Sequence, residues 1–135
     1  MKNWRIRKIT LVFLIIITIL GFISKYYQGP YSYWLNNNVA GLFYEIFWIL
    51  LFFLIFIPAD SINKIPVIVF IITVLLELIQ LCHLPFLEKI RSCFIGRTLI
   101  GSTFSFVDII HYFFGCLIGW LVLKFILQKT NKIEF

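Results

Sequence analysis

Charge is what this sequence has least of. Only 13% of its 135 residues are Asp, Glu, Lys or Arg, against about a quarter in ordinary globular domains. Acidic residues are the scarcest, six against 12 basic ones, which leaves a formal charge of +6. Its three cysteines lack paired metal-ligand spacing, which excludes the common zinc patterns. There is no HExxH helix, no GxSxG elbow and no paired-glutamate signature of an intramembrane protease, so those hydrolase frames are excluded too. No internal repeat is visible, and no low-complexity segment beyond a bias toward apolar residues.

That bias is the main content of the chain. Hydrophobic residues make up 61%, with 16 Phe, and a soluble fold this short cannot hide so much apolar surface. Lipid is the solvent this composition implies. The basic balance alone would suit nucleic acid, but Lys and Arg gather near the chain ends beside apolar runs, where they serve orientation in a membrane. No nucleic-acid partner is expected.

Four apolar runs are long enough to span a hydrocarbon core of roughly 30 Å. They cover about residues 9–25, 39–57, 65–82 and 104–127. The first follows a basic arm without a small-x-small cleavage site after it, so it reads as an uncleaved span. Tyr26, Tyr27, Tyr31, Tyr33 and Trp34, with Gly29-Pro30 and Asn36–Asn38, form a loop suited to the headgroup zone. Asn63 and Pro66 fit the opening turn of the third span. Between the third and fourth spans, residues 85–95 place Phe86, Leu87, Ile90 and Phe94 at helical spacing, a short amphipathic helix better suited to lying on a membrane than crossing it. The expected fold is therefore all-α: a four-transmembrane-helix bundle with an interfacial helix in the third loop, forming one domain over residues 1–135. Eight basic residues fall on the side of the termini and four on the other (Lys25, Lys89, Arg91 and Arg97), which puts both termini in the cytoplasm. Cys116 reads as a small packing residue. Cys82 and Cys93 fall on one side of the membrane, and whether they are bonded is open.

A charge at the centre of a bilayer costs roughly 2.5–3.5 kcal/mol on insertion scales, so ionisable residues inside spans usually pair or function. At 1.5 Å per residue, Glu45 lies roughly 9 Å below the outer end of its span, Glu77 roughly 7–8 Å, and Asp108 and His111 about 6 and 10 Å. Arg91 and Arg97 sit on the loop above them. Glu77 and Gln80 are three apart and share one side of a helix. Asp108, His111, Tyr112, Gly115 and Gly119 form another stripe, whose glycines make a GxxxG packing pattern. The expectation is an outward-facing polar pocket bringing Glu45, Glu77, Gln80, Asp108 and Tyr112 together with Arg91 and Arg97. Plainer readings stand beside it. Asp108 follows Ser105 at capping-box spacing and would be favoured there by the helix dipole. Glu77 reads equally as a structural partner of an arginine, Gln80 as interhelical glue, and His111 as a hydrogen-bonded packing residue.

These residues carry a resemblance. A carboxylate-x-x-Gln on one span, arginine in the next loop, and Asp, Asn and two glycines on the last span mark the VanZ-like membrane proteins, which this chain resembles with Tyr112 standing where the Asn usually stands. The fuller set of Glu77, Gln80, Arg91, Gly96, Arg97, Gly101, Phe104, Ser105, Asp108, Tyr112 and Gly115 is more similar to the small bacterial four-helix family called domain of unknown function 2809, with Lys25 and Glu45 as further matches. The resemblance implies a bacterial inner membrane and an envelope role, since VanZ-like proteins are linked to low-level teicoplanin resistance.

Three functions compete. The preferred one is a non-enzymatic protein binding an anionic or glycan-bearing lipid head group, held by Arg91 and Arg97 and oriented by Glu77, Gln80 and Asp108. The second is an intramembrane hydrolase or transferase with Glu77, Asp108 or His111 as general acid or base. The third is a small proton-coupled transporter working as a dimer, although transporters tend to carry their carboxylates at the midplane. No metal or other cofactor is expected. The partners expected are membrane lipids and either a second copy or an envelope-biogenesis protein.

Overall fold

The computed structural model describes residues 2–56, 61–81, 84–100 and 105–132, and among these the chain is all-α. Cys82, Gly101 and Phe104 lie outside the described residues, and with them any Cys82–Cys93 bond. Helix α1 runs Lys2–Tyr26. The basic arm is thus its first two turns: Lys and Arg are good helix formers, and the Lys8 ammonium sits 5.1 Å from the Trp4 ring one turn back. After Gly29-Pro30, Tyr31 takes a left-handed conformation (φ 62°), and the chain is helical again at once. A short α2, Ser32–Trp34, passes through a π-helical turn, Leu35–Val39, into α3, Ala40–Ile55. Asn36–Asn38, expected in a loop, lie inside that widened turn.

Helix α4 runs Ser61–Ile79 with Pro66 inside it rather than in the first turn. Proline removes one helical N–H. Membrane bundles tolerate proline inside a span; the carbonyl of Pro66 itself accepts the Cys116 thiol at 3.3 Å, which ties α4 to α7 at this turn. Asn63 does not cap the helix; its side-chain oxygen accepts the Trp120 indole N–H at 2.8 Å. The segment before the last span is two short helices, α5 (Pro85–Arg91) and α6 (Phe94–Ile100). They separate at Ser92 and Cys93, whose side chains donate to the Lys89 and Ile90 carbonyls, local bonds that compete with helix continuation. Helix α7 is Phe106–Lys132.

Four helical stretches are long and apolar enough to cross a membrane: Lys2–Tyr26, Ser32–Ile55, Ile62–Ile79 and Phe106–Lys132. Helices α3 and α7 are the central pair, with α1 against α3 on one side and α4 against α7 and α3 on the other. The glycine stripe explains the closeness of the central pair. A Cβ at Gly115 would stand 2.8 Å from both the Glu45 Cβ and the Leu42 carbonyl oxygen; one at Gly119 would stand 2.7 Å from the Ile49 Cδ1. Below them Ile46, Ile49, Leu50 and Phe53 of α3 pack on Leu123 and Ile126 of α7, joined by Ile6 and Leu14 of α1 and Ile65 and Val69 of α4. This core brings the start of α1 beside the end of α7, so both lie at one end of the bundle. The outer faces carry exposed Ile15, Ile19, Ile23, Ile68, Ile71, Leu75, Phe113 and Leu117. Apolar surface that continuous belongs against hydrocarbon.

Candidate functional site

The other end of the bundle holds a cavity of about 480 Å³. Its walls come from the last turns of α1, the π-helical turn and first half of α3, the end of α4, Arg97 of α6 and the start of α7. Glu77, Gln80, Arg97, Asp108 and Tyr112 all line it, as do Lys25, Asn36, Asn37, Tyr44 and Trp48.

Glu77 is 1% exposed and is the acceptor for three donors. The Ser105 backbone N–H donates to its Oε1 at 2.9 Å. Gln80 Nε2 donates to Oε2 at 3.1 Å, and the Tyr112 hydroxyl donates to the same oxygen at 3.3 Å. Ser105 immediately precedes α7, so its N–H has no acceptor within that helix. A carboxylate from α4 thus caps α7. This rearranges the role expected of Asp108. In a capping box the acidic residue three positions after Ser105 would take the Ser105 N–H; Glu77 already holds it. Asp108 keeps the favourable dipole of the first turn, half-buried on the cavity wall, with no hydrogen bond from any described residue.

The cations divide. Arg97 is exposed to the cavity, with Nε donating to the Arg91 carbonyl at 3.4 Å and no carboxylate within bonding distance among the described residues. Lys25, in the last turn of α1, stands at the cavity from the other side. Arg91 does not line it. Its side chain is buried, 7% exposed, with Nη1 at 3.3 Å from Glu88 Oε1 in the adjacent turn and with Nε and Nη2 unbonded. Glu45 is also off the cavity. It is wholly buried between α3 and α7, and the facing Thr73 hydroxyl donates instead to the Phe70 carbonyl at 2.9 Å, leaving neither carboxyl oxygen with a full hydrogen bond. His111 points elsewhere as well: Nδ1 donates to the Val107 carbonyl at 2.8 Å, and its ring lies edge-on to Trp34. Among the described residues no three His, Cys, Asp or Glu side chains gather as metal ligands would.

Among the described residues, the cavity therefore offers two cations without carboxylate partners, Lys25 and Arg97, the Asp108 carboxylate without a donor, and the Asn36 side-chain oxygen, buried and unbonded. In the sequence, Asn36 and Asn37 read only as loop residues. The signal for them is the π-helical turn, a local widening that often accompanies functional positions. Tyr44, whose ring lies 6.2 Å from that of Tyr112, is one helical turn from Trp48 and carries no charge to draw notice.

A family model described as Protein of unknown function (DUF2809) matches residues 31–116. The chain belongs to this family. The DUF2809 match runs from the turn before α2 to the middle of α7, so it takes in Asn36, Glu45, Glu77, Gln80, Arg97, Asp108, Tyr112 and Gly115; Lys25 and Gly119 fall outside it. No curated protein and no solved structure matches the chain.

Proposed function

We propose that this DUF2809 protein is a membrane protein of the bacterial envelope that binds the anionic head group of a lipid in the cavity between α1, α3 and α7. The observation that carries the reading is that Arg97 and Lys25 line one cavity with no carboxylate of the described residues ion-paired to either. A guanidinium so placed binds phosphate through paired, charge-assisted hydrogen bonds. Asp108 and the Asn36 oxygen add acceptors for hydroxyl or amine donors on the same head group, which suits a glycan-bearing or amine-bearing lipid. Glu77 serves by fixing Tyr112 and the start of α7. The positive-inside distribution supports cytoplasmic termini and a cavity open to the outer leaflet; the resemblance to VanZ-like proteins at Glu77, Gln80, Asp108, Gly115 and Gly119, from which Tyr112 departs, supports the envelope setting.

The test is lipid copurification. Protein extracted in mild detergent carries an anionic lipid by mass spectrometry, and Arg97→Ala loses it; unchanged lipid content in Arg97→Ala rejects the reading. General acid–base chemistry is the second reading, favoured by the undonated carboxylate of Asp108. A lipid whose mass changes on incubation with the protein, but not with Asp108→Asn, would decide for it.

A further inference from the structure

The polar cavity does not end at its polar residues. A second hollow of about 280 Å³ runs between α3 and α4 toward the middle of the bundle. Tyr44, Trp48 and Phe52 form one wall, an aromatic stripe at i, i+4 and i+8 of α3, and Val69, Ile72 and Leu76 form the other. Tyr44, Trp48, Thr73 and Leu76 line both hollows, so the two lie side by side and share a wall. Ile72, one of the lining residues, is 41% exposed, so this edge of the hollow borders the surface of α4.

A charged chamber near the end of the bundle beside an apolar slot that borders the surface of α4 has the polarity profile of one amphiphile. We infer that the slot between α3 and α4 holds a hydrocarbon chain of the same lipid whose head group occupies the cavity. This rests on the head-group reading above and adds that the ligand enters sideways from the bilayer and is a chain-bearing lipid rather than a soluble phosphate or sugar. Moving a chain from bilayer to slot gains little, because lipid tails are as apolar as the slot. The slot supplies registry, keeping the head group beside Arg97, Lys25 and Asp108, and the polar contacts supply the preference. Trp48 lies eight residues into α3 from Ala40, about 12 Å down the helix axis, beside the middle of such a chain.

Trp48 is therefore the reporter. The full-length protein carrying Trp4→Phe, Trp34→Phe and Trp120→Phe keeps Trp48 alone of the four tryptophans. It is reconstituted in phosphatidylcholine vesicles containing a small fraction of phosphatidylglycerol brominated at mid-chain, or the same fraction of brominated phosphatidylcholine. Phosphatidylcholine compensates its phosphate with its own ammonium. The uncompensated anion of phosphatidylglycerol therefore gains beside Arg97 and Lys25 about the worth of one charge-assisted hydrogen bond, which predicts about a tenfold greater quenching per brominated phosphatidylglycerol. Arg97→Ala equalises the two lipids. Ile72→Phe, which puts a ring in the slot from its lipid-facing edge, removes the excess quenching while phosphatidylglycerol retention by native mass spectrometry persists. Equal quenching by both lipids, with Arg97-dependent retention intact, overturns the chain slot and leaves the head-group reading standing. Loss of both preferences overturns the two together. If Ile72→Phe does not fold, the comparison of the two lipids on Trp48 alone still decides.

Discussion

Glu77 and Asp108 have the same functional group on the same wall, and their surroundings give them different work. Glu77 satisfies a backbone amide, a side-chain amide and a phenol. Removing an acceptor strands buried donors at about 1–3 kcal/mol each. Glu77→Ala should therefore lower the melting temperature in detergent sharply, while Asp108→Asn, which strands nothing, should stay within about 0.5 kcal/mol of the parent. Equal melting of the two variants would contradict this division. Asp108→Asn should instead alter only what the cavity retains, read as a change in the mass spectrum of copurified lipid. The sequence pattern placed Asp108 three residues after Ser105 and made it the natural cap. That local rule lost to a tertiary one, because a carboxylate on another helix reached the amide first, and no spacing within one segment can reveal such a competitor.

At the scale of elements, the GxxxG pattern in α7 announces close approach but not what is approached. Gly115 faces the Leu42 carbonyl and the Glu45 Cβ on α3, groups that cannot move aside; Gly119 meets the Ile49 Cδ1 first, with its Cγ2 and Cβ at 3.3 and 3.4 Å, so that side chain has only a terminal methyl to shift. Gly115→Ala is expected to destabilise the bundle by about 1–3 kcal/mol through overpacking. In Gly119→Ala the gain in helix propensity, about 0.8–1 kcal/mol, offsets most of the crowding. Thermal unfolding of the two variants side by side checks the difference. The four spans themselves were legible because apolar length is a signal summed over many residues. Their margins were not. The basic arm continues α1, Ser32 starts helix in a stretch rich in turn formers, and residues 85–95 break at Ser92 and Cys93. These margins depend on a local contact (the Lys8–Trp4 ring contact, the Ser32 N–H to the Gly29 carbonyl, the Ser92 and Cys93 side-chain bonds) rather than on average hydropathy. Arg91 illustrates the cost for the site: its spacing fitted a cation above the cavity, but the break between α5 and α6 leaves it packed beside Glu88 while Arg97 turns inward.

For the whole molecule, the proposed orientation places Cys93, exposed between α5 and α6, on the external face. A variant with Cys82→Ser and Cys116→Ala, leaving Cys93 alone, should react with a membrane-impermeant maleimide in intact cells, and labelling only after the membrane is opened would reverse the topology. The bundle has its large apolar core toward the chain termini and its polar cavity toward the opposite end. Apolar packing and polar space thus lie at opposite ends of the bundle axis, as expected where one end anchors and the other receives.

The bond from Ser105 to Glu77 also bears on biogenesis. Helix α4 leaves the ribosome before its carboxylate's backbone partner has been synthesised, so until the last span arrives Glu77 has only Gln80 to lean on. Insertion of α7 then delivers an amide and a phenol together to a waiting acid. A nascent chain stalled ahead of residue 105 should consequently hold its third span loosely in the translocon, and completion of the fourth should lock both in place as a hairpin.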